Sequence, residues 1–444
     1  MSIRQRTAPA PVLSRRRLLR GVAGAAVSAP LLYGAAACTE NLSPPRPTAR
    51  TRELTVFFWG GDKRAELTRK ALDLYTAAHP GTTFKTVWRA NSGYFDVLST
   101  QAAAGNVADL LQIDDNFLSE YAERRILLDL TSYTGDGRLD LTRFPPSLAR
   151  YGQVNGKQVG VAAAENTPGL IYNRALLKRL DLPEPEIGVS YPDFIAWARQ
   201  VSGKSGGKVA GTMDPSADYK ALWLWLRGQG KELYQGKQLG FGVADLTVWF
   251  ALWRDARTSG ATPGAAVIRE ANSGDVTRQL VVTGKAATSF MWSNQLPELQ
   301  KNTKDDLGVT AYPGDPRGQW ARASMYWAGF RGTRHADTVV DVISFLVNNA
   351  EAGKILGTER GLSSNLEVRT IVEASLGDDK QKRAVAFENE MTPKFGSAPV
   401  PPPQGHSRVR SGLVAAAESV QAGAAGPQQA AEKFVSQANA ILAG

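Results

Sequence analysis

Between Leu54 and Asn116, three short apolar runs are separated by two stretches with helical spacing, and this alternation restricts the fold more than any other feature of the 444-residue chain. Leu54-Thr55-Val56-Phe57-Phe58-Trp59 suits a buried strand and is stopped by Gly60-Gly61. Leu67, Ala71, Leu74 and Ala78 then recur at helical spacing over residues 62–78, and His79-Pro80-Gly81 closes that helix. A second strand is predicted over Thr83 to Trp88, a helix over Tyr94 to Ala104, and a third strand over Ala108 to Ile113, ending in Asp114-Asp115-Asn116. Strand alternating with helix predicts a mostly parallel α/β sheet. About 390 folded residues exceed what one hydrophobic core usually supports, so two lobes are expected. The C-terminal third reads as mainly helical, interrupted by an extended segment at Pro399 to Pro403.

The N-terminus reads as a targeting segment. Ser14-Arg15-Arg16-Arg17-Leu18-Leu19-Arg20 resembles a twin-arginine export signal, and an apolar run from Gly21 to Ala37 follows. Ala35-Ala36-Ala37-Cys38 resembles a lipobox, with Ala35 where leucine is usual. Cleavage before Cys38, the sole cysteine, would leave a lipidated N-terminus on the outer face of the cytoplasmic membrane. An uncleaved anchor and an unusual cytoplasmic N-terminus are the alternatives. As a helix the apolar run would be about 25 Å long, short of the ~30 Å hydrocarbon core. Residues 39–52, rich in Pro, Thr, Ser and Arg, read as a solvated tether. Residues 1–37 carry six arginines and no acid, so without them 46 basic residues face 42 acidic ones, a balance of +4 in place of +10. Nucleic-acid binding loses its main support with that basic excess.

Several ordered segments resemble the maltodextrin-type, family 1 solute-binding proteins of ABC importers. They are Phe58 to Lys63; Tyr94 to Leu130 with Ala104-Gly105 and Asp109-Leu110-Leu111; Asn155 to Val161; Leu170 to Leu177; Gly284 to Trp292; and Phe345 to Val347 with Glu351-Ala352-Gly353. Arg125 and Ala162 depart from the pattern, where glycine and proline are usual. The resemblance implies a bilobal, periplasmic-binding-protein-like α/β fold, with two α/β lobes joined by a hinge and the ligand cleft between them. Residues 53–165 with 327–372 would form one lobe, and 166–326 with 373–444 the other. It further implies carbohydrate capture and delivery to permease subunits by a monomer that needs no cofactor or metal and meets the membrane only through its lipid.

A sugar ring offers an apolar face to an aromatic side chain, and its hydroxyls need paired donors and acceptors. Trp59 is placed where ligands meet a strand end, and Trp292 and Trp327 by the resemblance and the expected lobe crossing. Asp62 and Lys63 match sugar-contacting positions of the family. Asp114, Asp115 and Asn116 form a cleft rim or a helix cap. Glu165 and Asn166 fall where the chain should change lobes, and Asp218 and Tyr219 near a looser family site. Trp249, Phe250 and Trp253, at helical spacing, read as core.

A secreted carbohydrate-active enzyme is the competing class, since paired carboxylates mimic a glycosidase. Against it, His79, His335 and His406 are scattered and read as surface or capping residues, and no Gly-x-x-x-x-Gly-Lys-Ser/Thr phosphate loop occurs. The expectation is therefore binding without a chemical step, with glycerophosphodiesters or amino sugars as alternative ligands.

Overall fold

The computed structural model describes residues 51–271 and 275–444. The export signal and Cys38 lie outside the described residues. Nine strands carry the architecture: β1 (Arg52–Trp59), β2 (Thr82–Arg89), β3 (Leu110–Ile113), β4 (Val161–Glu165), β5 (Pro168–Asn173), β6 (Thr288–Trp292), β7 (Leu307–Ala311), β8 (Ala323–Gly329) and β9 (Leu362–Ser363). They form a six-stranded sheet in the order β9-β4-β8-β3-β1-β2 and a three-stranded sheet in the order β6-β5-β7.

The expectation of a mostly parallel sheet holds only for β1 with β2 and β3. Strand β8 pairs antiparallel with both β3 and β4, β9 pairs antiparallel with β4, and the smaller sheet is wholly antiparallel. The physical reason is the direction of entry. After the βαβ units close, the chain leaves for the second sheet and returns from it, so β8 runs against the strands it joins.

Each sheet has its own apolar core. Val56, Leu111, Val161, Tyr326 and Val339 belong to that of the first lobe. The second is built around Leu170, Phe290, Trp249, Phe250 and Trp253. Trp249 and Trp253 are fully buried, their rings 5.7 Å apart and edge-on, as their helical spacing predicts. The chain changes sheets between β4 and β5 through Asn166 and Thr167, both buried, and again between β7 and β8 through residues 312–322. The described helices include none long and apolar enough to cross a membrane.

Candidate functional site

The ends of β1 and β3 and the two sheet crossings face a cavity of about 1240 Å³ between the lobes. Strand β1 ends in Trp59, and the turn that follows depends on Gly60, whose φ of +152° suits glycine. A Cβ there would sit 2.4 Å from Arg64 Cδ. The space left by that missing Cβ is taken by Arg64, whose Nη1 donates to the Trp59 carbonyl at 3.2 Å and whose Nε donates to Glu359 at 3.0 Å.

Asp114 caps the helix Asp115–Glu123, accepting from Asn116 N at 3.0 Å and Asn116 Nδ2 at 2.9 Å. Burial, followed by repulsion from Asp115, pushes its carboxyl up to about 6. Asp115 itself is buried and accepts from Arg322 Nε at 2.7 Å and from the Tyr151 hydroxyl at 3.3 Å. Arg322, on the returning crossover, also donates to the Tyr219 hydroxyl at 2.6 Å. Burial works against its charge, but the Asp115 carboxylate overrides this and raises its pKa. A polar chain from Asp115 through Arg322 to Tyr219 thus links the first lobe to the helix Tyr219–Arg227 of the second.

A second bridge runs through His406. Its Nε2 lies 3.0 Å from Asn116 Oδ1, and its Nδ1 meets the Tyr234 hydroxyl. Burial, then the charges of Arg410 and Arg322, push its pKa well down, so the ring is neutral. A proton on Nε2 satisfies both contacts, with donation to Asn116 and acceptance from Tyr234. The expectation of a surface or capping role is corrected here: His406 is 1 % exposed, because the loop before the helix His406–Gln421 turns its first residue inward.

Of the residues picked from the sequence, Trp59, Lys63, Asp114, Asp115, Asn116, Asn166, Tyr219 and Trp292 line the cavity. Trp59 is only 7 % exposed, its ring held by Tyr94 at 5.3 Å and Phe95 at 5.7 Å. Trp292 is half-buried at the end of β6, with Arg322 4.9 Å and Lys220 5.1 Å from its ring centre.

Four others lie off the cavity wall. Trp327, expected at the ligand, is 1 % exposed inside the first lobe beneath the Arg360 guanidinium, 5.1 Å from its ring. Both faces of β8 are covered, so its outward positions are as buried as its inward ones. Glu165 is fully buried and accepts from Arg369 at 2.6 Å. Asp218 caps the helix Tyr219–Arg227 and pairs with Lys220 at 2.9 Å. Asp62 is exposed and receives a bond from Trp88 Nε1 at 3.4 Å. The sequence reading missed Arg64, Lys220, Lys301, Arg322 and Arg410, five cations that line the same cavity. Among the described residues, no group of three or more His, Cys, Asp or Glu side chains is placed to hold a metal ion.

Residues 70–388 match the family model described as bacterial extracellular solute-binding protein. The chain belongs to that family. A lactose-binding protein of Rhizobium radiobacter is 24 % identical over 391 residues, covering 83 % of each chain. A family 1 extracellular solute-binding protein of Alicyclobacillus acidocaldarius superposes with a TM-score of 0.70 at 28 % identity, over 89 % of this chain and 99 % of that one. An ABC substrate-binding protein of Listeria monocytogenes in complex with cycloalternan superposes with a TM-score of 0.74 at 18 % identity, over 88 % of this chain and 99 % of the other. This solute-binding protein therefore shares the bilobal fold of its family across nearly its whole described length.

Proposed function

We propose that this solute-binding protein captures a carbohydrate in the interlobe cleft and delivers it to the permease of an ABC importer. The carrying observation is the cavity itself. At about 1240 Å³ it is larger than most small-molecule pockets, as an oligosaccharide requires, and the half-buried Trp292 stands in its wall beside hydrogen-bonding groups. Trp292 offers a flat apolar surface to a pyranose, while Asp114, Asn116, Tyr219 and Asn294 offer donors and acceptors to its hydroxyls. An unpaired buried polar group costs about 1–3 kcal/mol, which lets such a wall reject the wrong epimer. The lactose-binding relative supports the same ligand class.

Capture is by binding and closure, with no chemical step. Asp115, the carboxylate next to Asp114, is neutralised by Arg322, which removes it as the partner for hydrolysis. The mature protein is a monomer held by lipid on Cys38 at the outer face of the cytoplasmic membrane after twin-arginine export. Thermal-shift and calorimetric screening of the mature chain against a carbohydrate panel tests the central claim. Saturable binding without turnover is expected. Hydrolysis of a bound oligosaccharide would favour a secreted enzyme, and binding to none of the panel would overturn the reading.

A further inference from the structure

Three cations surround one ring in the cleft. The charge centres of Arg410, Arg322 and Lys220 lie 4.3, 5.6 and 5.7 Å from the centre of the Tyr219 ring. Two are already engaged, Arg322 by Asp115 and Lys220 by Asp218. Arg410 differs: it is half-buried on the helix His406–Gln421, lines the cavity, and makes no hydrogen bond or ion pair with any described residue. Its guanidinium lies on the Tyr219 ring and feels the Asp114 carboxylate through space without a direct bond, which leaves five N–H donors without a protein acceptor.

We infer that Arg410 is a ligand-binding residue and that the captured sugar carries an anionic group, a carboxylate or phosphate. The inference rests on the carbohydrate reading above and narrows it. A guanidinium fork matches a carboxylate or phosphate through two parallel hydrogen bonds, a geometry that a single hydroxyl does not fill. Closure makes the demand sharper. When the cleft shuts, Arg410 leaves water, and burying an uncompensated charge is far more costly than burying a paired one. Asp114, the carboxylate that feels the Arg410 charge, accepts from Asn116 through both of its oxygens and makes no direct bond to the guanidinium. Crowding by Arg410 and Arg322 is also felt by Lys220 and His406: after burial, those charges are what lower the proton affinity of both.

The test uses the full mature chain and matched pairs of probes: galactose with galacturonate, glucose with glucuronate, and glucose with glucose 6-phosphate, each also as the disaccharide where one exists. Calorimetry should show the acidic member of at least one pair binding roughly tenfold or more tightly than its neutral partner. That preference should shrink as NaCl is added. Arg410→Gln should abolish the preference while melting close to the parent, because no protein ion pair is lost. Whether uronates or the phosphate are preferred identifies the anion. Neutral members binding as well as acidic ones would overturn the inference and leave the carbohydrate reading standing. A preference for acidic probes that survives in Arg410→Gln would remove Arg410 from the site. Binding of no probe in either class would overturn both.

Discussion

Glu388 accepts a hydrogen bond from the backbone N–H of Thr167 at 2.9 Å, so a side chain on the helix Asp379–Met391 holds the two-residue segment where the chain passes from one sheet to the other. The Thr167 hydroxyl and the Ser293 hydroxyl donate to the same carboxylate. Glu388 is 2 % exposed, and the carboxylate that faces it, Glu165, is itself occupied by Arg369.

A pH dependence of stability follows. Burial, then repulsion from Glu165, push the Glu388 carboxyl up to about 7 from an ordinary value of 4.5. The folded protein thus retains a proton that the unfolded chain releases, and stability is lost as pH rises from 4.5 through about 7. Glu388→Gln keeps two acceptor lone pairs and removes the charge. Urea unfolding of parent and variant should converge near pH 5 and diverge by pH 8, with the variant gaining on the order of 3 kcal/mol relative to its own low-pH difference. Parallel profiles across that range would show that Glu388 does not titrate in the folded state.

Asp114 makes a separate prediction for binding. Its carboxyl, raised to about 6 by burial and by Asp115, is an anion beside Arg410 at neutral pH and is neutral in mild acid. Affinity for a uronate, whose own charge is constant over this interval, should therefore rise as pH falls through about 6. Asp114→Asn, which retains an N-capping side chain, should flatten that profile. Calorimetric titration at several pH values decides the matter, and an unchanged slope in the variant would assign the effect elsewhere.

Trp292 and Trp249 should separate binding from stability. Removing the half-buried Trp292 ring is expected to weaken carbohydrate binding by about 1–3 kcal/mol, or roughly tenfold to a hundredfold. Trp249 is 0 % exposed, and its Nε1 donates to the Ser216 carbonyl at 3.1 Å. Trp249→Ala should instead lower stability by about 3–5 kcal/mol through the cavity it leaves. If Trp292→Ala binds normally and melts far below the parent, the ring is structural.

Anchoring can be read directly in cells. Cys38→Ala should abolish incorporation of labelled diacylglycerol, since the chain has no other cysteine to modify. Label retained in that variant would end the lipoprotein reading.

The sequence made the strand ends legible, because a buried run stopped by glycine or acidic residues marks the place where a sheet meets solvent. Trp59 before Gly60 and the Asp114 to Asn116 turn were found in this way. Two kinds of information were absent. Arg322 and Arg410 reach the cleft only through tertiary placement, and nothing in their local spacing separates them from solvated arginines. Trp327 was misplaced because it was read from its position near the expected lobe crossing, whereas it lies within β8, which is buried on both faces. Glu165 likewise sits one residue from the crossing, as read, but its charge is consumed by Arg369 from a segment more than 200 residues away.

The insertion of β8 between β3 and β4 also sets the order in which the molecule can be made. Until residue 329 has left the ribosome, β3 and β4 each present an unpaired edge, and the gap between them can be filled only by a strand that has already passed through the other lobe. The first lobe therefore cannot mature during its own synthesis. Its closure waits on contacts of high sequence separation, which slow folding and prolong the exposure of sheet edges to other chains. A nascent chain interrupted before Ala323 would hold most of the residues of that lobe and still be an aggregation-prone fragment.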